Sequence, residues 1–217
     1  MDDNTIEEAK RRLTEEFLRY SILRISPNSK DIGQVVSTAG NALVINHAQV
    51  SKLLKVLIPE CLTPQPKFLA GFGYSRFLSE YFNLSFHRLP NGQNSVEYKK
   101  PQGAYLKKLQ DSEVVYIAHF LKRGDEHAKG IELLRAQGIT IKRLFTLLDY
   151  NLESTREIME CQKPYDSENT LSSEVKVQSI LSLNEILRQE LKSRKLKKTE
   201  YERVKEWQQE YQQRVLV

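Results

Sequence analysis

The sequence predicts an α/β protein with a central parallel sheet flanked by helices and with further helices at both ends. Two observations lead there. First, the apolar run Val114-Val115-Tyr116-Ile117 is followed by a helical pattern over 125–137, with Ile131, Leu133 and Leu134 apolar. Gly138 then stands in a helix-ending position, and residues 139–149 are rich in β-branched and apolar types. A strand, a loop, a helix and a second strand in that order imply parallel strands joined by a right-handed crossover. Second, residues 4–20, 183–194 and 199–214 carry amphipathic helical patterns at the two ends of the chain.

The remaining elements follow in chain order. In 4–20, Ile6, Ala9, Leu13 and Phe17 recur at helical spacing, and Asn4 with Glu7 has the layout of a capping box. Between 22 and 46, the short apolar runs Ile22–Ile25, Val35-Val36 and Leu43–Ile45 are broken by Pro27, Gly33 and Gly40, which suits short strands and turns. Residues 47–58 place Val50, Leu53, Leu54 and Leu57 on one helical face, with Pro59 as the stop. Lys67–Ala70 reads as a strand ending in Gly71-Phe72-Gly73, followed by a helix through Arg76–Phe82. Segments 84–89 and 95–99 read as strands around the turn Pro90-Asn91-Gly92. After 150 the chain turns polar, with a short helix at 153–160, a last strand at 175–181 and the two terminal helices, the second opened by Thr199 with Glu202. No internal repeat or linker divides the 217 residues, so one domain is expected.

Composition narrows the function classes. Hydrophobic residues at 40% and charged residues at 28% are those of a globular chain. No apolar run approaches the ~20 residues a membrane helix needs. The acidic start Met1-Asp2-Asp3-Asn4 is neither a secretory signal nor a transit peptide, so a cytoplasmic protein is expected. Cys61 and Cys161 are isolated, and no zinc spacing is visible. The net charge of +5 permits an anionic ligand or nucleic acid without demanding either. The nine glycines are few for a chain with a phosphate-cradling loop.

Four segments carry a resemblance to a known family. They are Phe68–Tyr74, Val114–Glu126, Gly130–Gly138 running on to Leu147-Leu148-Asp149, and Ile180–Leu187. In this order they resemble the orotate phosphoribosyltransferases, members of the type I phosphoribosyltransferase fold. The resemblance spans roughly 5–215 and is firmest over 66–150. It implies a phosphoribosyltransferase-like (Rossmann-like) sheet, a dimer and, for an active member, Mg²⁺-dependent use of phosphoribosyl pyrophosphate.

The resemblance also shows where the chain departs. The family's two adjacent acids, which hold the ribose hydroxyls, are Ala118 and His119 here. The Thr/Gly-rich phosphate loop is Phe120–Glu126, in which Gly124 alone matches. Asp125 and Glu126 suit a helix start but repel a phosphate, while Lys122 and Arg123 could attract an anion. Tyr74 belongs to the first glycine loop, and that loop's basic residue falls on Ser75 or Arg76. The orotate-contacting arginine is Tyr150, and Lys100 matches the mobile-loop catalytic lysine.

The expected ligand-binding set is therefore Tyr74, Arg76, His119, Lys122, Arg123, Gly124, Asp125 and Tyr150, with Lys100 catalytic only in an active enzyme and no metal ligands. Three binding elements degraded together point to a binding, regulatory or structural pseudoenzyme, with no cofactor, acting as a homodimer or with a protein partner. The alternatives are a divergent active enzyme that needs Mg²⁺ and a nucleic-acid-binding regulator. The last would use the basic run from Arg188 to Lys205 with Tyr201, Trp207 and Tyr211. The interleaved Glu190, Glu200, Glu202 and Glu206 favour ordinary surface pairing, and aromatic packing against the domain is preferred to a base platform. His119 is expected at a strand end on the sheet edge, and His127 on the surface.

Overall fold

The computed structural model describes residues 2–38, 48–72, 85–89, 102–162, 164, 168 and 170–215. Helix α1 (Asp3–Arg19) comes first, followed by β1 (Leu23–Ile25), α2 (Ile32–Val35) and β2 (Val36–Thr38). Helix α3 (Ala48–Cys61) leads to β3 (Phe68–Phe72) and β4 (Ser85–Leu89). Then come α4 (Gly103–Gln110), β5 (Val114–Leu121), α5 (Gly124–Arg135), β6 (Ile141–Asp149) and α6 (Glu153–Met159). The chain closes with β7 (Lys176–Ser182), α7 (Leu183–Lys192) and α8 (Lys198–Val215).

Strands β4-β3-β5-β6-β7 form a five-stranded sheet, parallel throughout, and β1 and β2 pair antiparallel beside it. Alternation along β5 explains the layers. Val115 and Ile117 face a core built with α1, α3, α7 and α8, whereas Val114, Tyr116 and Ala118 face a second core with α4, α5 and α6. A parallel sheet must be covered on both faces, and this one is. The expected neighbours β3, β5 and β6 are adjacent, and α5 packs on the sheet as the crossover. Gly138, at φ +76°, ends α5: its N–H reaches Arg135 O at 2.8 Å and that of Ile139 reaches Leu134 O at 3.2 Å, a Schellman closure.

Several boundaries differ from expectation for local physical reasons. Asp2 caps α1 in place of Asn4, its carboxylate accepting from Thr5 N at 2.7 Å and Thr5 Oγ1 at 2.6 Å, while Glu7 pairs with Lys10. Helix α3 continues through Pro59 to Cys61, because Leu57, Ile58 and Leu62 are buried and Leu62 N closes on Ile58 O. Gly71 lies inside β3 rather than in a loop. A Cβ there would stand 2.5 Å from the Ile117 carbonyl oxygen, so the glycine allows β3 and β5 to approach. Helix α8 starts one residue early, and Glu200 rather than Glu202 supplies the cap, accepting from Lys197 N at 2.8 Å. The expected helix 76–82, strand 95–99 and apolar run 43–45 lie outside the described residues. No helix among the described residues is long and apolar enough to cross a membrane.

Candidate functional site

In open parallel sheets, ligands bind beyond the carboxyl ends of the strands. Here that region is the end of β5, the turn 122–124 into α5, and the end of β6. Strand β5 runs four residues further than Ile117, because Phe120 and Leu121 extend its apolar pattern. His119 therefore lies within a central strand, not at a sheet edge, and is 1% exposed. Burial pushes its pKa down to about 3, so it is neutral at pH 7. Ala118 is fully buried on the opposite face, in the core beneath α5.

Lys122, the first residue beyond the strand, turns toward the C-terminal helix. Its ammonium lies 4.5 Å from the Tyr211 ring centroid, 5.6 Å from that of Tyr150 and 5.9 Å from that of Trp207. Burial lowers the Lys122 pKa. The three ring faces act the other way, each worth about 0.5–1 kcal/mol when exposed and ~2 when desolvated. Arg123 grips Asp125 with both branches of its guanidinium, Nε at 3.0 Å and Nη2 at 2.5 Å, and this pairing raises the arginine pKa. The two cations expected to attract an anion thus already have intramolecular partners. So does Asp125, whose two oxygens both receive Arg123.

Gly124 opens α5 against α6. A Cβ there would fall 3.2 Å from Thr155 Cα and 3.3 Å from Thr155 O, and the Thr155 hydroxyl donates to Lys122 O at 3.2 Å. This glycine is held by helix packing, whatever else it serves. Tyr150 is fully buried, with its hydroxyl on Thr38 Oγ1 at 3.2 Å, its ring against Trp207 at 6.2 Å and its carbonyl accepting from Gln208 Nε2 at 2.8 Å. Burial raises its pKa. Helix α8 therefore clasps the strand ends through Trp207, Gln208 and Tyr211. Val204 and Trp207 are inward as expected and Lys198 is exposed. Lys205, expected exposed, is half-buried, donating to Asn184 Oδ1 at 2.9 Å and Gln208 Oε1 at 2.6 Å.

Residues that the sequence reading missed complete the layer. Asn151, at φ +53°, donates from its backbone to Asp149 Oδ1 at 2.7 Å and from its side chain to Asp149 Oδ2 at 3.1 Å. Its own Oδ1 accepts from Ser182 Oγ and from Asn184 N at 3.1 Å. An Asn directly after a strand-ending Asp-Tyr was the available signal, since Asn tolerates the left-handed region. Beside this network a polar cleft of about 430 Å³ opens between α6 and β7, with Lys10, Arg156, Asp149 and Ser182 among its walls.

His127 is buried, not on the surface. Its ring stands edge-on to Tyr116 at 5.8 Å, and desolvation pushes its pKa down to about 4 against a backbone hydrogen bond to Phe120. Trp207 is likewise fully buried and presents no ring face to solvent. In the basic tail, Lys198 pairs with Glu202 at 3.9 Å, and Arg203 with Glu206 at 3.4 Å and Glu210 at 3.1 Å. Tyr74, Arg76 and Lys100 lie outside the described residues. Among the described residues, no three His, Cys, Asp or Glu side chains converge as a metal site.

No family model and no curated protein matches the sequence. Solved structures do match it. Orotate phosphoribosyltransferase from Aeropyrum pernix superposes with a TM-score of 0.57 at 15% identity, over 82% of this chain and 97% of that one. UMP synthase from Leishmania donovani gives 0.63 at 13% identity, over 92% of this chain but only 42% of the synthase. Orotate phosphoribosyltransferase from Mycobacterium tuberculosis, solved with 5-phospho-α-D-ribosyl 1-diphosphate, gives 0.54 at 12% identity, over 82% and 98%. The chain has the fold of the orotate phosphoribosyltransferases.

Proposed function

We propose that this chain is a phosphoribosyltransferase-fold pseudoenzyme, a binding protein that no longer performs phosphoribosyl transfer and works through a protein partner or a second copy of itself. The observation that carries the reading is the packing of Lys122 among Tyr150, Trp207 and Tyr211. In the family's layout, residues 118–126 would meet phosphoribosyl pyrophosphate and residue 150 would meet orotate. Here the first residue of the turn and Tyr150 are engaged with α8, and Arg123 and Asp125 with each other.

The energetics agree in direction. A carboxylate accepting a ribose hydroxyl contributes ~1.5–3 kcal/mol, and Ala118 offers no acceptor. His119 is neutral but buried within the strand. Losing two such bonds weakens binding by roughly two to four decades if they add simply. Asp125, a substitute acid in the same turn, would have to leave Arg123 first.

The test is an assay for orotidine 5′-monophosphate made from orotate and phosphoribosyl pyrophosphate with Mg²⁺. We expect no turnover above the protein-free control. Robust turnover abolished by Lys100→Ala would overturn the reading in favour of a divergent active enzyme.

A further inference from the structure

The parallel sheet ends on β7. One side of this strand is laddered to β6, and no strand among the described residues pairs with the other. Backbone hydrogen bonds beyond that ladder stop at Val175, whose N–H reaches Met159 O at 2.8 Å; none joins residues 176–182 to another described element. Helix α6 packs instead on α5, with Thr155 against Gly124, and the polar cleft of about 430 Å³ runs along the strand it leaves bare. Residues 174–177, 179, 180 and 182 line that cleft.

An edge strand presents a row of unpaired amides and carbonyls that matches another extended backbone. Natural edges are blunted by shortness, proline, bulges or inward-pointing charges. Strand β7 has seven residues, no proline and no glycine, and keeps one unbroken register with β6. Its one charged residue, Lys176, stands at its start.

The charges along the cleft indicate whose backbone fits. Glu174 and Lys176 lie at the start of the strand. At its far end, beside Ser182 and the Asp149 in register with it, stand Arg156 and, in the first turn of α7, Glu185. All four of these outer charges are exposed, and none is in an ion pair among the described residues. A two-fold axis through Ser179 runs two copies of β7 antiparallel and sets residue 176 of one opposite residue 182 of the other. Lys176 of each copy then falls beside Glu185 of the other, and Glu174 beside Arg156. Every outer charge meets its opposite, and the symmetry repeats each pair.

We propose that the β7 edge is a self-association surface, where two copies of the chain join β7 to β7 antiparallel into one continuous sheet. The pairing stands whether or not phosphoribosyl transfer is retained.

Sedimentation equilibrium of the full chain over a range of concentrations tests it. A reversible monomer–dimer equilibrium is expected. Lys176→Glu turns two attractive contacts repulsive and should weaken the dimer by about ten-fold or more, and Glu185→Lys should do the same. The double variant restores opposite charges across the axis and should return to within about three-fold of the wild type. Both positions are exposed, and an unchanged circular dichroism spectrum checks that each variant folds. Amide exchange gives a second readout: protection of residues 176–182 should rise with concentration in the wild type and not in Lys176→Glu. A chain that is monomeric at every concentration overturns the proposal and leaves the edge to an extended segment of another protein. A dimer that neither single variant weakens, or a double variant no tighter than the singles, also overturns it, because the copies then meet through another face.

Discussion

The crossover unit and the strand ends it carries have fared differently. The unit β5-α5-β6 keeps every feature the fold needs: buried parallel strands, an apolar helix face with Ile131 and Leu134, and a Schellman end at Gly138. A few residues on, Lys122, Arg123, Asp125 and Tyr150 are tied into the protein itself, with α8 as the main partner. Scaffold and site answer to different physics. The scaffold needs volume and periodicity, which many sequences satisfy, whereas a ligand site needs particular polar groups left available.

The largest expected effect attacks the clasp. Trp207→Ala removes a fully buried ring packed against Tyr150 and Tyr211. It should destabilise the protein by about 3–5 kcal/mol in urea unfolding. A loss below ~1 kcal/mol would mean that α8 is an appendage and that the strand ends are not held by it.

The next effect is set by the buried histidines. His119 and His127 are held neutral, with pKa values near 3 and 4 against about 6.5 when unfolded. The unfolded chain binds the extra protons below pH 6.5, so stability falls as pH drops through that value and continues to fall until the folded pKa is reached. Each histidine contributes a slope of about 1.4 kcal/mol per pH unit well inside that window. Urea titrations at pH 7, 6 and 5 should show the fall, and His127→Gln should reduce the slope by about half. A flat profile from pH 7 to 5 would contradict the burial of both rings.

Gly124→Ala sharpens the comparison at the turn. Thr155 backbone atoms at 3.2 and 3.3 Å would have to yield, so a cost near 1 kcal/mol is expected, within the range of overpacking. The smallest effect should come from Arg203→Ala, which removes surface pairs with Glu206 and Glu210 and should leave the urea midpoint indistinguishable from that of the wild type.

How legible these regions were follows the same division. Periodicity placed β3, β5, β6, β7, α5 and α7 to within a few residues, because each buries a regular apolar face. Asn4 and Glu202 suit capping roles, but Asp2 and Glu200 offer equivalent chemistry two residues away, and backbone geometry chooses between them. Pro59 predicts a stop, yet tertiary burial of Leu57, Ile58 and Leu62 carries the helix past it. The sequence misplaces His119 at the sheet edge and His127 on the surface because the extents of β5 and α5, which decide their burial, are not legible from local pattern. The inward face of Val204 and Trp207 was readable from spacing. That Lys122 would meet it was not, since nothing local links the β5 turn to the last helix.

Calorimetry of phosphoribosyl pyrophosphate with the wild-type chain, with and without Mg²⁺, tests the central claim most directly. The account predicts no saturable Mg²⁺-dependent heat at millimolar ligand. A Mg²⁺-dependent isotherm that Lys122→Ala or Arg123→Ala weakens would contradict it, because those cations would then be serving the ligand rather than α8 and Asp125.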